Sequence, residues 1–144
     1  MWKLLYRGTD HGFGAANFHA KCDGIKETLI VIKSSTEYIF GGYTGAQWSS
    51  NKCYSYDSNT FLFSLTNGND IQRKINCSQP ENAIFSHPAY GPIFGCNNLL
   101  ISDYSNDKNS TYNLSNNFIS TDYPNLLNNK NSSFITAEIE VYSK

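Results

Sequence analysis

The chain closes on SFITAEIEVYSK, residues 133–144, where Ile135, Ala137, Ile139 and Val141 alternate with Thr136, Glu138 and Glu140. An alternation of period two belongs to a strand, which sends successive side chains to opposite faces. The segment is therefore expected as a half-buried strand with Ile135, Ala137, Ile139 and Val141 on its inner face. A lone strand cannot bury that face, so the rest of the chain has to supply a sheet for it.

It offers many short runs of the right kind. Residues 2–6 read as a first strand, followed by the turn-like Gly8-Thr9-Asp10. Residues 28–32 and 38–43 are apolar runs that a turn at 33–37 would join as a hairpin. Residues 61–65 and 71–75 flank Asn67-Gly68, a step that tolerates positive φ and marks a tight hairpin. Residues 82–86 and 99–102 bracket a proline- and glycine-rich loop, and residues 105–131 read as surface loop with one short strand near 112–114. One helix stands out at 15–22, because Ala15, Phe18 and Cys22 share one face of a 3.6-residue period. Gly14 is its N-cap, weaker than a serine or aspartate would be, and Gly24 can end it in a left-handed conformation. These elements predict a mostly β fold: a two-sheet antiparallel β-sandwich with one or two flanking helices.

Composition narrows the function. The 144 residues fit one domain, 40% of them hydrophobic and 15% aromatic, enough apolar mass for a core without staples. A net charge of −1 with no basic block argues against nucleic acid or anionic membrane as the main partner. The longest aliphatic run, Leu29 through Ile32, is far short of the roughly 20 residues that span a bilayer, so no membrane insertion is expected. The four cysteines, Cys22, Cys53, Cys77 and Cys96, are dispersed without a C-x-x-C pair. We expect reduced, mostly buried thiols with no disulfide partner and no metal site. Four N-x-S/T triplets, beginning at Asn76, Asn109, Asn113 and Asn131, are what an asparagine-rich chain produces by chance.

The stretch IFGGYTGAQW, residues 39–48, places two glycines inside a strand candidate. It matches neither G-x-x-x-x-G-K-[ST] nor G-x-G-x-x-G, and no helix follows to bind phosphate. Paired glycines there mark a bulge or a close backbone approach at the sheet's edge, with Tyr43 and Trp48 covering the space.

Catalytic patterns are weak. Glu138 and Glu140 share a strand face about 7 Å apart, a spacing that also suits a glycosidic pair, yet alternation alone produces it. His11, His19 and His87 lack the context of a nucleophile elbow or an H-E-x-x-H motif. Cys96, in a loop, is the better redox candidate, since the helix end disfavours a thiolate at Cys22. No catalytic residue and no cofactor is assigned.

Taken in order, WKLLYRGTDHGFGAANFHAKCD, TLIVIKS, IFGGYTGAQW, FLFSL, YGPIFG, LLISD and AEIEVY resemble the TLDc domain of the oxidation-resistance proteins, from Trp2 to Tyr142. The resemblance implies a two-sheet sandwich with marginal helices, and a single TLDc-like domain, 1–144, cut from a longer chain, with an N-terminal element missing. The asparagine richness looks like that of a protist. The resemblance further implies a cytoplasmic, non-catalytic interaction domain linked to oxidative-stress protection, whose partner is the vacuolar proton-pumping ATPase. The glycine–aromatic turns are then the candidate partner-binding loops: Gly12, Phe13 and Gly14; Gly41, Gly42 and Tyr43; Gly91, Pro92, Phe94 and Gly95. Two departures stand out. Gly14 replaces the family's usual serine, and Cys96-Asn97-Asn98 replaces a glycine-rich continuation. The alternatives are a redox or hydrolytic domain using Cys96 or the Glu138/Glu140 pair with a histidine, and a glycan-binding sandwich.

Overall fold

A computed structural model describes residues 1–66, 72–114, 118 and 132–144. In chain order the elements are β1 (Lys3–Arg7), α1 (Gly8–His11), α2 (Ala15–Cys22), β2 (Thr28–Ser34), β3 (Ile39–Thr44), β4 (Cys53–Ser55), β5 (Phe61–Thr66) and β6 (Arg73–Asn76). A 3-10 turn (Pro80–Asn82) precedes β7 (Ile84–Ser86), β8 (Ile93–Phe94), β9 (Leu99–Leu100), β10 (Ser110–Tyr112), β11 (Ser133–Phe134) and β12 (Thr136–Ser143). Two six-stranded sheets result, ordered β1-β12-β2-β3-β5-β6 and β11-β10-β9-β8-β7-β4. Every pairing in both is antiparallel. The chain is the mostly β, two-sheet antiparallel fold expected, with few helices.

The core lies between the sheets and under α2. Trp48, fully buried, meets Phe18 of α2 edge-on at 5.4 Å and Phe94 of β8 at 5.8 Å. Its indole N–H donates to Thr28 Oγ1 at 2.9 Å, so a buried ring keeps its polar atom paired. Helix α2 spans the residues that its periodicity indicates and buries Ala15, Phe18 and Cys22. Gly24 adopts φ +83° just beyond it. Its start lacks a capping hydroxyl, but the loss is made good from elsewhere. Asn17 Oδ1 accepts the Gly14 N–H at 2.9 Å, and Asp103 Oδ1 accepts the Ala15 N–H at 2.7 Å.

The closing strand corrects the simple alternation. Thr136, Ile139 and Val141 are buried, whereas Ile135 is only half-buried and Ala137 is exposed. The cause is a β-bulge: Thr136 pairs with Ser34 and Glu138 with Lys33, which leaves Ala137 as an extra residue. Just upstream the chain also changes sheet, since Phe134 pairs with β10 and Thr136 with β2. Inner and outer phases therefore differ on the two sides of the bulge.

The double glycine is not at an edge. Strand β3 sits inside its sheet between β2 and β5, and its register runs unbroken from Phe40 to Thr44 against β2. Close approach is the reading that holds. A Cβ on Gly42 would lie 2.6 Å from Phe94 Cζ, and one on Gly41 would lie 1.9 Å from the Ile30 carbonyl oxygen. Phe94 and Phe63, rather than Tyr43, occupy the space beside the glycines.

Four further differences are local. Gly8-Thr9-Asp10 forms the single helical turn α1, and β4 and β8 arise where no strand was expected. Residues 105–114 are not all surface: Ser105, Ser110, Tyr112 and Leu114 are buried, as is Phe118. Polar residues between them hide the inward positions. The thiols are not mostly buried either, since Cys22 is buried and Cys77 half-buried while Cys53 and Cys96 are exposed. The Asn67-Gly68 turn lies outside the described residues, although β5 and β6 pair antiparallel as its hairpin requires.

Candidate functional site

The glycine–aromatic motifs meet inside the fold. Gly42 of β3 faces Phe94 of β8 across the two sheets. The Gly91 N–H donates to the Ile101 carbonyl at 2.8 Å, and the Ile101 N–H returns a bond to the Pro92 carbonyl at 3.1 Å. Three residues on, the Tyr104 N–H donates to the Phe13 carbonyl at 3.0 Å. Segment 101–104 thus stitches the Gly12–Gly14 turn to the Gly91–Gly95 turn.

Most members of these motifs are buried: Gly14, Gly41, Gly42, Gly91, Pro92, Phe94 and Gly95. Gly12, Phe13 and Tyr43 are half-buried. What the loops present to solvent is aromatic. Tyr104, 55% exposed, lies beside Gly14 at the start of α2, and Tyr90, 38% exposed, lies beside His19 near its end. Neither tyrosine was singled out from the sequence. Tyr90 opens the YGPIFG motif, and its half-polar ring is the available signal.

Tyr43 belongs elsewhere, on the outer face of the β1-β12-β2-β3-β5-β6 sheet. It stacks on Phe61 at 5.5 Å, and Trp2 meets it edge-on at 6.3 Å. Lys74 Nζ lies 4.4 Å over the Phe61 ring. Glu138 and Glu140 share this face with Val31, Lys33 and Ile39, lining a depression of about 160 Å³. That is below the several hundred Å³ of a ligand cleft.

Both carboxylates are already engaged. Glu138 accepts the Thr9 and Ile139 N–H groups at 3.1 and 3.0 Å, and also the Thr9 hydroxyl, so it caps α1. Glu140 accepts Arg7 Nε at 3.2 Å and the Tyr142 hydroxyl, and that hydroxyl bond raises the Tyr142 pKa. Groups tied to the fold in this way are poorly placed to act as a mobile acid and base.

The histidines divide in the same manner. His11 Nδ1 accepts the Arg7 N–H at 3.0 Å, and His87 Nδ1 accepts the Ala89 N–H at 3.0 Å. His19 sits in a Ser–Asp–His chain of the wrong order for a nucleophile. Ser50 Oγ donates to Asp23 Oδ2 at 2.6 Å, Asp23 Oδ1 meets His19 Nδ1 at 2.6 Å, and Nε2 faces main-chain carbonyls. A catalytic serine has to touch the imidazole itself. Cys96 is exposed, with its Sγ 3.5 Å from the Tyr54 hydroxyl, a contact that raises the Tyr54 pKa. Burial pushes the Cys22 thiol well above its usual range and raises Cys77 less far. Among the described residues no group of three or more His, Cys, Asp or Glu could hold a metal, and no helix is long and apolar enough to cross a membrane.

Comparison with known proteins places the chain. The sequence model of the TLDc domain matches residues 1–144. MTOR-associated protein MEAK7 of Danio rerio is 30% identical over 64 residues, which is 44% of this chain and 14% of that protein. GTPase-activating protein skywalker of Drosophila melanogaster is 30% identical over 71 residues, 43% of this chain and 12% of the relative. TBC1 domain family member 24 of Xenopus tropicalis is 31% identical over 49 residues, 34% of this chain and 9% of the relative. In each case the match spans a small part of the relative's length.

Proposed function

The chain belongs to the TLDc domain family, and from that premise we propose that it is a non-catalytic protein-interaction domain. In this reading residues 1–144 form one domain of a longer cytoplasmic protein. The partner is the vacuolar proton-pumping ATPase, and binding to it underlies a role in oxidative-stress protection. The full-length family match carries the proposal. The engagement of Glu138, Glu140 and His19 in structural bonds supports it from the chemical side. The name of the MEAK7 relative, which records an association with another protein, is in keeping with partner binding.

The binding surface is proposed at the glycine–aromatic loops: Gly12, Phe13 and Gly14; Gly41, Gly42 and Tyr43; Gly91, Pro92, Phe94 and Gly95. The exposed rings of Tyr90, next to Gly91, and Tyr104, beside Gly14, would make the contacts. Pull-down of purified pump subunits tests this, with a Tyr90→Ala/Tyr104→Ala variant as the comparison. Enrichment by wild type that the double variant loses supports the reading. Equal recovery by both removes the surface, and no recovery by either removes the partner.

The exposure of Cys96 favours a second, redox reading. Its thiolate would attack one oxygen of hydrogen peroxide, breaking the O–O bond to form sulfenic acid and release hydroxide. Equal peroxide consumption by wild type and Cys96→Ser would dispose of it.

A further inference from the structure

His19 is 8% exposed and lies in the last turn of α2. Both of its ring nitrogens face acceptors: Nδ1 is 2.6 Å from Asp23 Oδ1, and Nε2 is 2.9 and 2.8 Å from the carbonyl oxygens of His87 and Tyr90. A neutral imidazole has one N–H to give, so only a ring protonated on both nitrogens can donate to the carboxylate and the carbonyls together. Three segments meet there: α2, the 87–90 loop and, through the bond from Ser50 to Asp23, the stretch before β4. We infer that His19 is a proton-dependent clasp. Doubly protonated, it fastens the 87–90 loop, and with it Tyr90 and Gly91-Pro92, to the end of α2. Neutral, it has to let go of either Asp23 or the loop.

The surroundings suit a cation. Asp23 is the charged group that meets the ring, and the C-terminal end of α2 adds the negative pole of the helix. Phe18 stands edge-on at 5.0 Å. From the loop come the two carbonyls and the rings of His87 and Tyr90, which face each other at 5.2 Å. His87 acts in the opposite sense. Its Nδ1 accepts the Ala89 N–H, so protonating His87 breaks a bond that shapes the loop. The His19 clasp therefore loosens as pH rises, whereas the His87 turn loosens as pH falls.

The test is amide exchange at Tyr90 and Gly91, corrected for the intrinsic pH dependence, in a His87→Gln protein from about pH 5 to 8. Protection should fall by roughly tenfold or more as pH rises, the scale of one charge-assisted hydrogen bond. Adding Asp23→Asn should flatten the profile. The amide N–H can donate to Nδ1 and leave Nε2–H for the carbonyls, so a neutral ring satisfies every partner. A flat profile in His87→Gln, or an unchanged slope after Asp23→Asn, overturns the clasp. A second measurement needs no substitution: the ring ¹⁵N shifts of His19 distinguish one protonated nitrogen from two. A change between those states that leaves Tyr90 and Gly91 exchange unmoved also overturns it.

Discussion

Gly41 and Gly42 are neighbours in β3, yet adding one methyl group should harm them in different ways. At Gly42 the obstacle is a side chain, with Phe94 Cζ at 2.6 Å and Leu62 Cδ2 at 3.0 Å from an added Cβ. Phe94 is fully buried and held edge-on by Trp48, so its ring can retreat only by disturbing the core. Overpacking of this kind costs about 1–3 kcal/mol, offset by roughly 0.5–1 kcal/mol from a stiffer unfolded chain. Gly42→Ala should therefore lose about 1–2 kcal/mol net, and Gly42→Val more. At some 2–4 °C per kcal/mol for a chain near this size, the alanine variant should melt about 2–8 °C lower. Shortening the obstacle with Phe94→Leu should make Gly42→Ala nearly neutral in that background, a coupling of about 1–2 kcal/mol. At Gly41 the obstacle is backbone, the Ile30 carbonyl oxygen at 1.9 Å. Relief there requires β2 to shift, so Gly41→Ala should cost roughly 3 kcal/mol or more. Phe63→Leu should not rescue it, although Phe63 Cζ is also near at 2.9 Å. Urea unfolding with matched slopes measures wild type and each of these variants. The reasoning fails if Gly41→Ala is no worse than Gly42→Ala, or if trimming Phe63 rescues as well as trimming Phe94.

Thr28→Val should cost about 1–3 kcal/mol by stranding the buried Trp48 N–H. In a Trp48→Phe background the same change should cost less, and equal costs in both would deny the bond its role. Asp103→Ala should lose about 0.5–2 kcal/mol by uncapping α2 at Ala15, visible as faster amide exchange in its first turn. Stability should decline on the alkaline side. Burial raises the pKa of Cys22 and Tyr6 above their ordinary values of 9.0 and 10.0, so the unfolded chain loses these protons first. Their contribution is complete below about pH 9 and is lost as pH rises beyond it. Cys22→Ala should make the first part of that decline shallower in urea midpoints taken from pH 7 to 10, and an unchanged slope would count against burial as the cause.

The fold was legible wherever local pattern and packing agree. Helix α2 declared itself through Ala15, Phe18 and Cys22, because a helix repeats its buried face within a few residues. The β2–β3 hairpin followed from two apolar runs, and Ser34 completes its turn by accepting the Tyr38 N–H at 3.1 Å. The pattern failed where tertiary structure changes the phase. Nothing in AEIEVY announces that Ala137 will bulge, since the bulge shows only in the pairing of Thr136 and Glu138 with β2, just after the passage between sheets at Ile135. Strands as short as β4 and β8 carry too few residues to show a period at all, and only their neighbours make them strands.

The candidate site was less legible, for a reason of sequence distance. Glu138 and Glu140 looked like a pair because they are two residues apart. Their chemistry is settled by Thr9 and Arg7, which lie 129 and 133 residues away. His19 looked unsupported for the converse reason, since its carbonyl partners follow 68 and 71 residues later. The glycine motifs raise a further distinction. Gly42 and Gly91 are unusual because they lie against Phe94 and Ile101 at distances that a side chain would spoil, a demand made by the interior. In the proposed reading a partner would instead touch the exposed rings of Tyr90, next to Gly91, and Tyr104, beside Gly14. A tyrosine on a surface needs no special spacing, so it leaves no mark in a single sequence. Motif reading therefore locates the frame of such a surface more readily than the side chains that would do the binding, and the geometry around α2 is what connects the two.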